Sequence, residues 1–277
     1  MAYIQMNIMS ESLMRTVNVN VILPADKIYF PGSKPVDARP YKTMYLLHGI
    51  FGSQYDWINR TSVQRWAEEK NLAVVMPAGE NMFYVDQEAG HNYYGEFIGK
   101  ELVRLTRKMF PLSEKREDTC IAGLSMGGYG ALRNGLKYAD TFGHIAGLSA
   151  ATITDTVAER TDDVAPFFQT RRYAEAVFGD VTKVKGSDKD IYFLAGRLAA
   201  LGGKKPRIYI ACGVDDGLLE GNRKLAAYLR KKDFDVTYEE GPGAHEWDFW
   251  NRHIKRVIDW LPLVGEDGIN SGNVTRR

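Results

Sequence analysis

Residues 119–139 constrain the fold more than any other part of this 277-residue chain. An apolar run, Cys120 to Ala122, enters Gly123-Leu124-Ser125-Met126-Gly127, and a small-residue segment from Gly128 to Ala139 leaves it with helical character. A strand that turns at once into a helix forces the residue at its apex into a strained backbone conformation, and the residues two positions to either side must then lack side chains. Gly123 and Gly127 occupy those two positions. Such a turn lifts the Ser125 hydroxyl clear of the sheet. The GxSxG pattern is weak on its own, and a strand before it and a helix after it are the context that gives it meaning.

The rest of the chain supplies that context. Tyr3 to Met9 and Val17 to Leu23 alternate apolar and polar residues, the pattern of half-buried antiparallel strands at a sheet edge. Pro24, Pro31, Gly32, Pro35 and Pro40 then break regular structure. Short apolar runs recur at 43–47, 72–76, 145–148 and 207–212, as strands buried on both faces require. Helical patterns separate them. One is capped by Thr61 or Ser62 and runs to about Asn71; another places Ile98, Leu102, Leu105 and Met109 on one face; others cover 189–201 and 218–232. Residues 234–238 read as a further strand, and the last helix carries the clearest stripe, Trp247, Trp250, Ile254, Val257, Ile258 and Leu261.

This alternation predicts an α/β fold: one domain over 1–263, with a central, mostly parallel sheet and helices on both faces, followed by a frayed tail over 264–277. Residues 152–188 lose all periodicity, and an insertion of that length reads as a lid or binding segment.

Lys plus Arg number 36 against 35 Asp plus Glu, which gives no electrostatic reason to expect nucleic acid or an anionic membrane as partner. The N-terminus has no basic start followed by a continuous apolar stretch, and no segment approaches 18 apolar residues, so we expect a cytoplasmic protein with no membrane partner. Cys120 and Cys212 are expected as buried free thiols. HExxH and paired CxxC motifs are absent, so the sequence gives little support to a protein-built metal site.

A serine hydroxyl is a poor nucleophile at neutral pH and needs a base within reach and an acid to orient that base. Of five histidines, His245 is best placed, in a glycine-rich loop between a strand and the last helix. His48 follows a strand and reads as a structural hydrogen-bonding residue, His91 in a tyrosine-rich loop is a candidate for touching substrate, and His144 and His253 read as strand-flanking and helix-surface residues. Asp215 and Asp216 both leave a strand end between Ser125 and His245, and periodicity does not choose between them. An oxyanion would find donors in the Met126 amide, at a helix N-terminus, and in the loop after Leu47, where Gly49 and Gly52 permit close approach. Trp57, Tyr84, Tyr93, Tyr94 and Trp247 either line a pocket or fill the core.

With these residues in place, the chain resembles the esterase D-like branch of the α/β hydrolases, and most of all the tributyrin esterases. The matching stretches are LLHGIFGSQYDW (46–57), GLSMGGYGAL (123–132), CGVDDGLLEGN (212–222) and GAHEWDFW (243–250). The resemblance implies an α/β-hydrolase fold and a serine carboxylesterase acting on short-chain acyl or small aromatic esters through an acyl-enzyme, with no cofactor. It makes Ser125 the nucleophile and His245 the base, selects Asp216 as the acid, and assigns the oxyanion amides to Ile50 and Met126, with Phe51 as the fallback for Ile50. Phe51, Trp57, Tyr93 and Trp247 become the expected substrate pocket, and a small ester the partner. Enzymes of this kind are often homo-oligomers. Related alternatives are a feruloyl or acetyl xylan esterase and an S-formylglutathione hydrolase. A noncatalytic binding protein on the scaffold would be marked by a missing triad member, and none is missing. Gly217 departs from the pattern, since the branch commonly carries an aromatic there, and the packing behind the acid is expected to differ.

Overall fold

Apolar runs with no polar face must be covered on both sides, and the computed structural model shows how this chain achieves it. The structure describes residues 1–29 and 39–264. Pro31, Gly32, Pro35 and the expected tail beyond Val264 lie outside them. The strands are β1 (Ala2–Ser10), β2 (Arg15–Leu23), β3 (Lys42–Leu47), β4 (Leu72–Pro77), a short pair β5 (Asp86–Gln87) and β6 (Asn92–Tyr93), β7 (Thr119–Leu124), β8 (His144–Leu148), β9 (Arg207–Gly213) and β10 (Val236–Gly241). Eight of them form one sheet in the order β1-β2-β4-β3-β7-β8-β9-β10. The β1–β2 and β2–β4 pairs are antiparallel and the others parallel. The α/β hydrolase expectation is met.

The helices are α1 (Asp56–Arg60), α2 (Val63–Glu69), α3 (Tyr94–Glu96), α4 (Leu102–Met109), α5 (Met126–Lys137), α6 (Arg171–Phe178), α7 (Ile191–Ala200), α8 (Leu219–Lys231) and α9 (Trp247–Trp260). Alternate residues of each central strand feed two cores. Tyr45 and Leu47 of β3 pack on the side of α5, α7 and α8, whereas Met44 and Leu46 pack on the side of α2 and α9. Strand order reverses at the β3–β7 pair, whose last register partners are Leu47 and Gly123. Open α/β sheets hold their ligands at the carboxyl ends of the strands at such a reversal. There the chain has His48-Gly49-Ile50 on one strand and Ser125 on the other.

Two expectations are corrected. The stripe Ile98, Leu102, Leu105 and Met109 does not hold, because a π-helical turn, Phe97–Glu101, joins α3 to α4. Its wider turn rotates α4 about its axis, so Leu102, Val103 and Thr106 face inward and Met109 is 49% exposed. The rotation also buries Glu101, whose carboxylate accepts hydrogen bonds from the Ser10 hydroxyl (2.8 Å) and the Glu11 and Ser12 amides (2.6 and 3.0 Å), fixing the β1–β2 turn. His253, expected on the surface of the last helix, is buried against Phe249 with ring centroids 4.1 Å apart, and burial lowers its pKa to about 4.

The 152–188 stretch lacks periodicity because it is built of 3-10 turns around one short helix, α6. It is nonetheless anchored just beyond Ser187. Arg133, fully buried in α5, pairs with Asp188 and, at 3.2 Å, with Asp86, while Lys137 reaches the same two carboxylates at 2.8 and 3.1 Å. Arg133→Leu should destabilise the protein by about 3 kcal/mol, since breaking a buried pair leaves charge without its partner. Urea denaturation reads this, and a loss under about 1 kcal/mol would show that Lys137 suffices alone.

Candidate active site

At the end of β7 the backbone makes the turn that its glycines foretold. Ser125 adopts φ 53 and ψ −117, a conformation that costs a non-glycine residue about 1–3 kcal/mol. A Cβ at Gly123 would sit 2.4 Å from the Gly127 carbonyl oxygen, and one at Gly127 would sit 2.5 Å from the carbonyl oxygens of Leu47 and His48. Close approach, rather than a positive φ, therefore excludes side chains at both. Three backbone hydrogen bonds hold the strained residue: its amide donates to Leu148 O (2.8 Å), and its carbonyl accepts from Tyr129 (3.0 Å) and Ala151 (3.1 Å).

The Ser125 hydroxyl lies 2.9 Å from His245 Nε2, and His245 Nδ1 lies 2.9 Å from Asp216 Oδ2. Ser125 and Asp216 are buried, whereas the His245 side chain is 39% exposed, so the imidazole closes the site from the solvent side. Asp215 is exposed, so of the two neighbouring acids it is Asp216 that meets the imidazole. Burial alone would raise the Asp216 pKa, but hydrogen bonds from His245, the Leu218 amide and Ser149 hold the carboxyl below its ordinary range. An ionised Asp216 keeps the imidazole proton on Nδ1, and the Nε2 lone pair then faces the serine hydroxyl.

Ser149 escaped the sequence reading. It follows β8 in a left-handed conformation (φ 46), bonds Asp216, and accepts a hydrogen bond from Trp250 Nε1 at 3.1 Å. The Trp250 ring meets the His245 ring edge-on with centroids 4.9 Å apart. The available signal was a lone polar residue just past an apolar strand, between the strands that carry Ser125 and Asp216. At Gly217, where the family pattern has an aromatic, a Cβ would meet no atom within 4 Å, so the space beside the acid is open there. The support behind the acid is Ser149.

Neither the Ile50 nor the Met126 amide has an acceptor among the described residues, and Met126 opens α5, where the helix presents its positive end. The amide of Phe51, the fallback donor, is by contrast engaged: it donates to Asn81 Oδ1 at 2.8 Å. His48 fixes the start of this loop: its buried ring accepts the Gly79 amide at Nε2 (2.9 Å) and donates from Nδ1 to Gly49 O (2.7 Å), and burial lowers its pKa.

The four aromatics expected to line a pocket separate. Trp57 is 1% exposed and donates to Leu47 O at 3.0 Å, so it belongs to the core. Tyr93 and its edge-on neighbour His91 lie elsewhere; Tyr93 lines a groove of about 840 Å³ with Lys137, Phe178 and Asp188. Trp247 is half-buried and meets Trp250, the ring beside His245, edge-on at 5.2 Å. Phe51 is 65% exposed directly after Ile50, against Phe167 and Phe168 of the 152–188 stretch (6.0 and 5.5 Å). Among the described residues, no cluster of His, Cys, Asp and Glu could hold a metal, and no helix is long and apolar enough to cross a membrane.

A buried acid, an imidazole and a serine on a strained turn are thus joined by two 2.9 Å hydrogen bonds, an arrangement able to activate a hydroxyl for attack. The family model described as "Putative esterase" matches residues 10–260. The chain belongs to that esterase family. This esterase is 44% identical to the acetyl esterase of Caldicellulosiruptor saccharolyticus over 266 residues, 96% of the chain and 100% of that protein. Among solved structures it is similar to Staphylococcus aureus FphF, a fluorophosphonate-binding serine hydrolase (34% identity, TM-score 0.81, 94% of this chain and 98% of that one). It is also similar to the S-formylglutathione hydrolase FrmB of Staphylococcus aureus (34% identity, TM-score 0.79, the same coverage). The esterase is a serine-type carboxylic ester hydrolase, as the resemblance implied.

Proposed function

We propose that Ser125, His245 and Asp216 are the catalytic triad of a carboxylesterase whose substrates are small esters of short acyl groups, acetates among them. The unbroken chain of two 2.9 Å hydrogen bonds from Asp216 to Ser125 carries this reading. Ser125 Oγ bonds to the ester carbonyl carbon as its proton passes to His245 Nε2, and the carbonyl π pair moves onto oxygen. The Ile50 and Met126 amides stabilise that oxyanion, each contributing about 3 kcal/mol. Collapse breaks the bond to the alcohol oxygen, which leaves with the proton from His245. Water, deprotonated by the same imidazole, then releases the acid and restores the serine.

An acetyl substrate is supported by the 44% identical acetyl esterase, and the exposed rings of Phe51 and Phe167 offer an apolar wall for the alcohol group. On this reading 1–263 is one catalytic domain and 152–188 is its lid. It extends to a homo-oligomer in the cytoplasm, for which the exposed Met9 of the edge strand β1 and Met14 of the turn after it, and the buried thiols Cys120 and Cys212, which form no disulfide, speak. Size-exclusion chromatography tests the assembly. The similarity to FrmB favours a second reading, a thioesterase acting on S-formylglutathione. Comparing kcat/KM for p-nitrophenyl acetate and butyrate, methyl ferulate and S-formylglutathione separates them. We expect acetate to lead, and a lead of about tenfold or more by the thioester, worth 1.4 kcal/mol, would overturn the ester assignment.

A further inference from the structure

The loop after β3 is held from outside the triad, at its start by His48 and, one residue past Ile50, by Asn81. Phe51, directly after Ile50, has φ 66, a left-handed conformation that is a genuine outlier for a bulky residue and persists only where its surroundings fix it. What fixes it is Asn81, whose side-chain oxygen accepts the Phe51 amide at 2.8 Å. Asn81 is itself pinned. Its carbonyl accepts the Tyr173 hydroxyl at 2.5 Å, and its loop carries Glu80, Phe83 and Tyr84 in left-handed conformations. That loop is tied back to the strand end before Ile50, by the Tyr84 hydroxyl on His48 O (3.0 Å) and the Gly79 amide on His48 Nε2 (2.9 Å). The circuit therefore runs from the 152–188 stretch, through Asn81, to the residue after the oxyanion donor.

We infer that Asn81 is a positioning residue for the oxyanion hole: by capturing the Phe51 amide it fixes the peptide after Ile50 and so keeps Ile50 in the backbone conformation that presents its amide to the developing oxyanion. This rests on the triad reading above. The Ile50 N–H shares its planar peptide with Gly49 O, which His48 Nδ1 (2.7 Å) and the Gly52 amide (3.2 Å) hold, and Asn81 fixes the next plane through the Phe51 amide, so the two anchors together set the soft dihedrals of Ile50 between them. The contribution belongs to the transition state, because a ground-state ester carbonyl binds such a donor weakly whereas an oxyanion binds it strongly.

The test uses Asn81→Ala in the full-length protein, with Asn81→Leu, a near-isostere that has no acceptor, as the second variant should the first fail to fold. A displaced donor should lower kcat for p-nitrophenyl acetate about 10- to 100-fold. KM should stay within about twofold, and Ki for a trifluoromethyl ketone, which forms a tetrahedral adduct, should rise by the same factor as kcat falls. An unchanged kcat, or a loss confined to KM with the ketone bound as before, would overturn the role. Labelling of the variant by a fluorophosphonate at Ser125 keeps the two claims separate. A fully active Ser125→Ala enzyme would remove the triad reading itself, whereas a dead Ser125→Ala beside an unaffected Asn81→Ala removes only the positioning role.

Discussion

Ser125→Ala should lose esterase activity by roughly 10⁴- to 10⁶-fold and keep its fold. The side-chain oxygen makes one hydrogen bond, to His245 Nε2 at 2.9 Å, so its removal deletes the attacking atom and little else. The strained turn does not depend on that oxygen. Its three stabilising hydrogen bonds, to Leu148, Tyr129 and Ala151, are made by the Ser125 backbone, and alanine meets the same steric cost at φ 53 as serine does. Circular dichroism and thermal melting should therefore match the parent, while hydrolysis of p-nitrophenyl acetate falls to the small residue supplied by binding and the oxyanion amides. Mass spectrometry after exposure to a fluorophosphonate should find the adduct on the parent at Ser125 and none on the variant. Near-parental turnover would place the nucleophile elsewhere.

Which features the sequence disclosed depends on the range of the physics behind them. Strands buried on both faces need continuous apolar residues, so β3, β4, β7, β8 and β9 were legible. The turn at Ser125 was legible because two backbones pass within contact distance at Gly123 and Gly127, leaving room for hydrogen alone. Choosing Asp216 over Asp215 needed the fold or a family pattern, since adjacent residues on a loop differ only in direction. Ser149 was invisible for a related reason: its role is to bond Asp216 and Trp250, residues 67 and 101 positions away, and local pattern carries no trace of such contacts. The face of α4 was misread because a single π turn breaks the 3.6-residue period on which the reading relied. Trp57 and Tyr93 were misplaced because an aromatic near a motif in sequence can face the core or another groove with equal ease.

Asp216→Asn should lower kcat about 10⁴-fold although the change is nearly isosteric. Asp216 offers two acceptor oxygens: Oδ1 takes the Leu218 amide at 2.9 Å and Oδ2 takes His245 Nδ1 at 2.9 Å. Asparagine has one acceptor. The Leu218 amide can only donate, so the carboxamide oxygen stays with it and the NH₂ group turns toward His245. The imidazole must then accept at Nδ1, which moves its proton to Nε2 and leaves no lone pair to receive the Ser125 proton. The loss should fall on kcat with KM nearly unchanged, and Asp215→Asn, altering an exposed side chain, should stay within about twofold. The sign of the linked pH effect is set by the depressed Asp216 pKa. A carboxylate held below its unfolded value stabilises the folded state above that value, and the gain is lost as pH falls through the lower folded value. Denaturation midpoints of parent and variant should therefore converge on acidification below about pH 4 and separate above it. Midpoints that stay equally far apart at both ends would mean that Asp216 is not ionised in the folded enzyme, and with that the imidazole would lose the partner that fixes its tautomer.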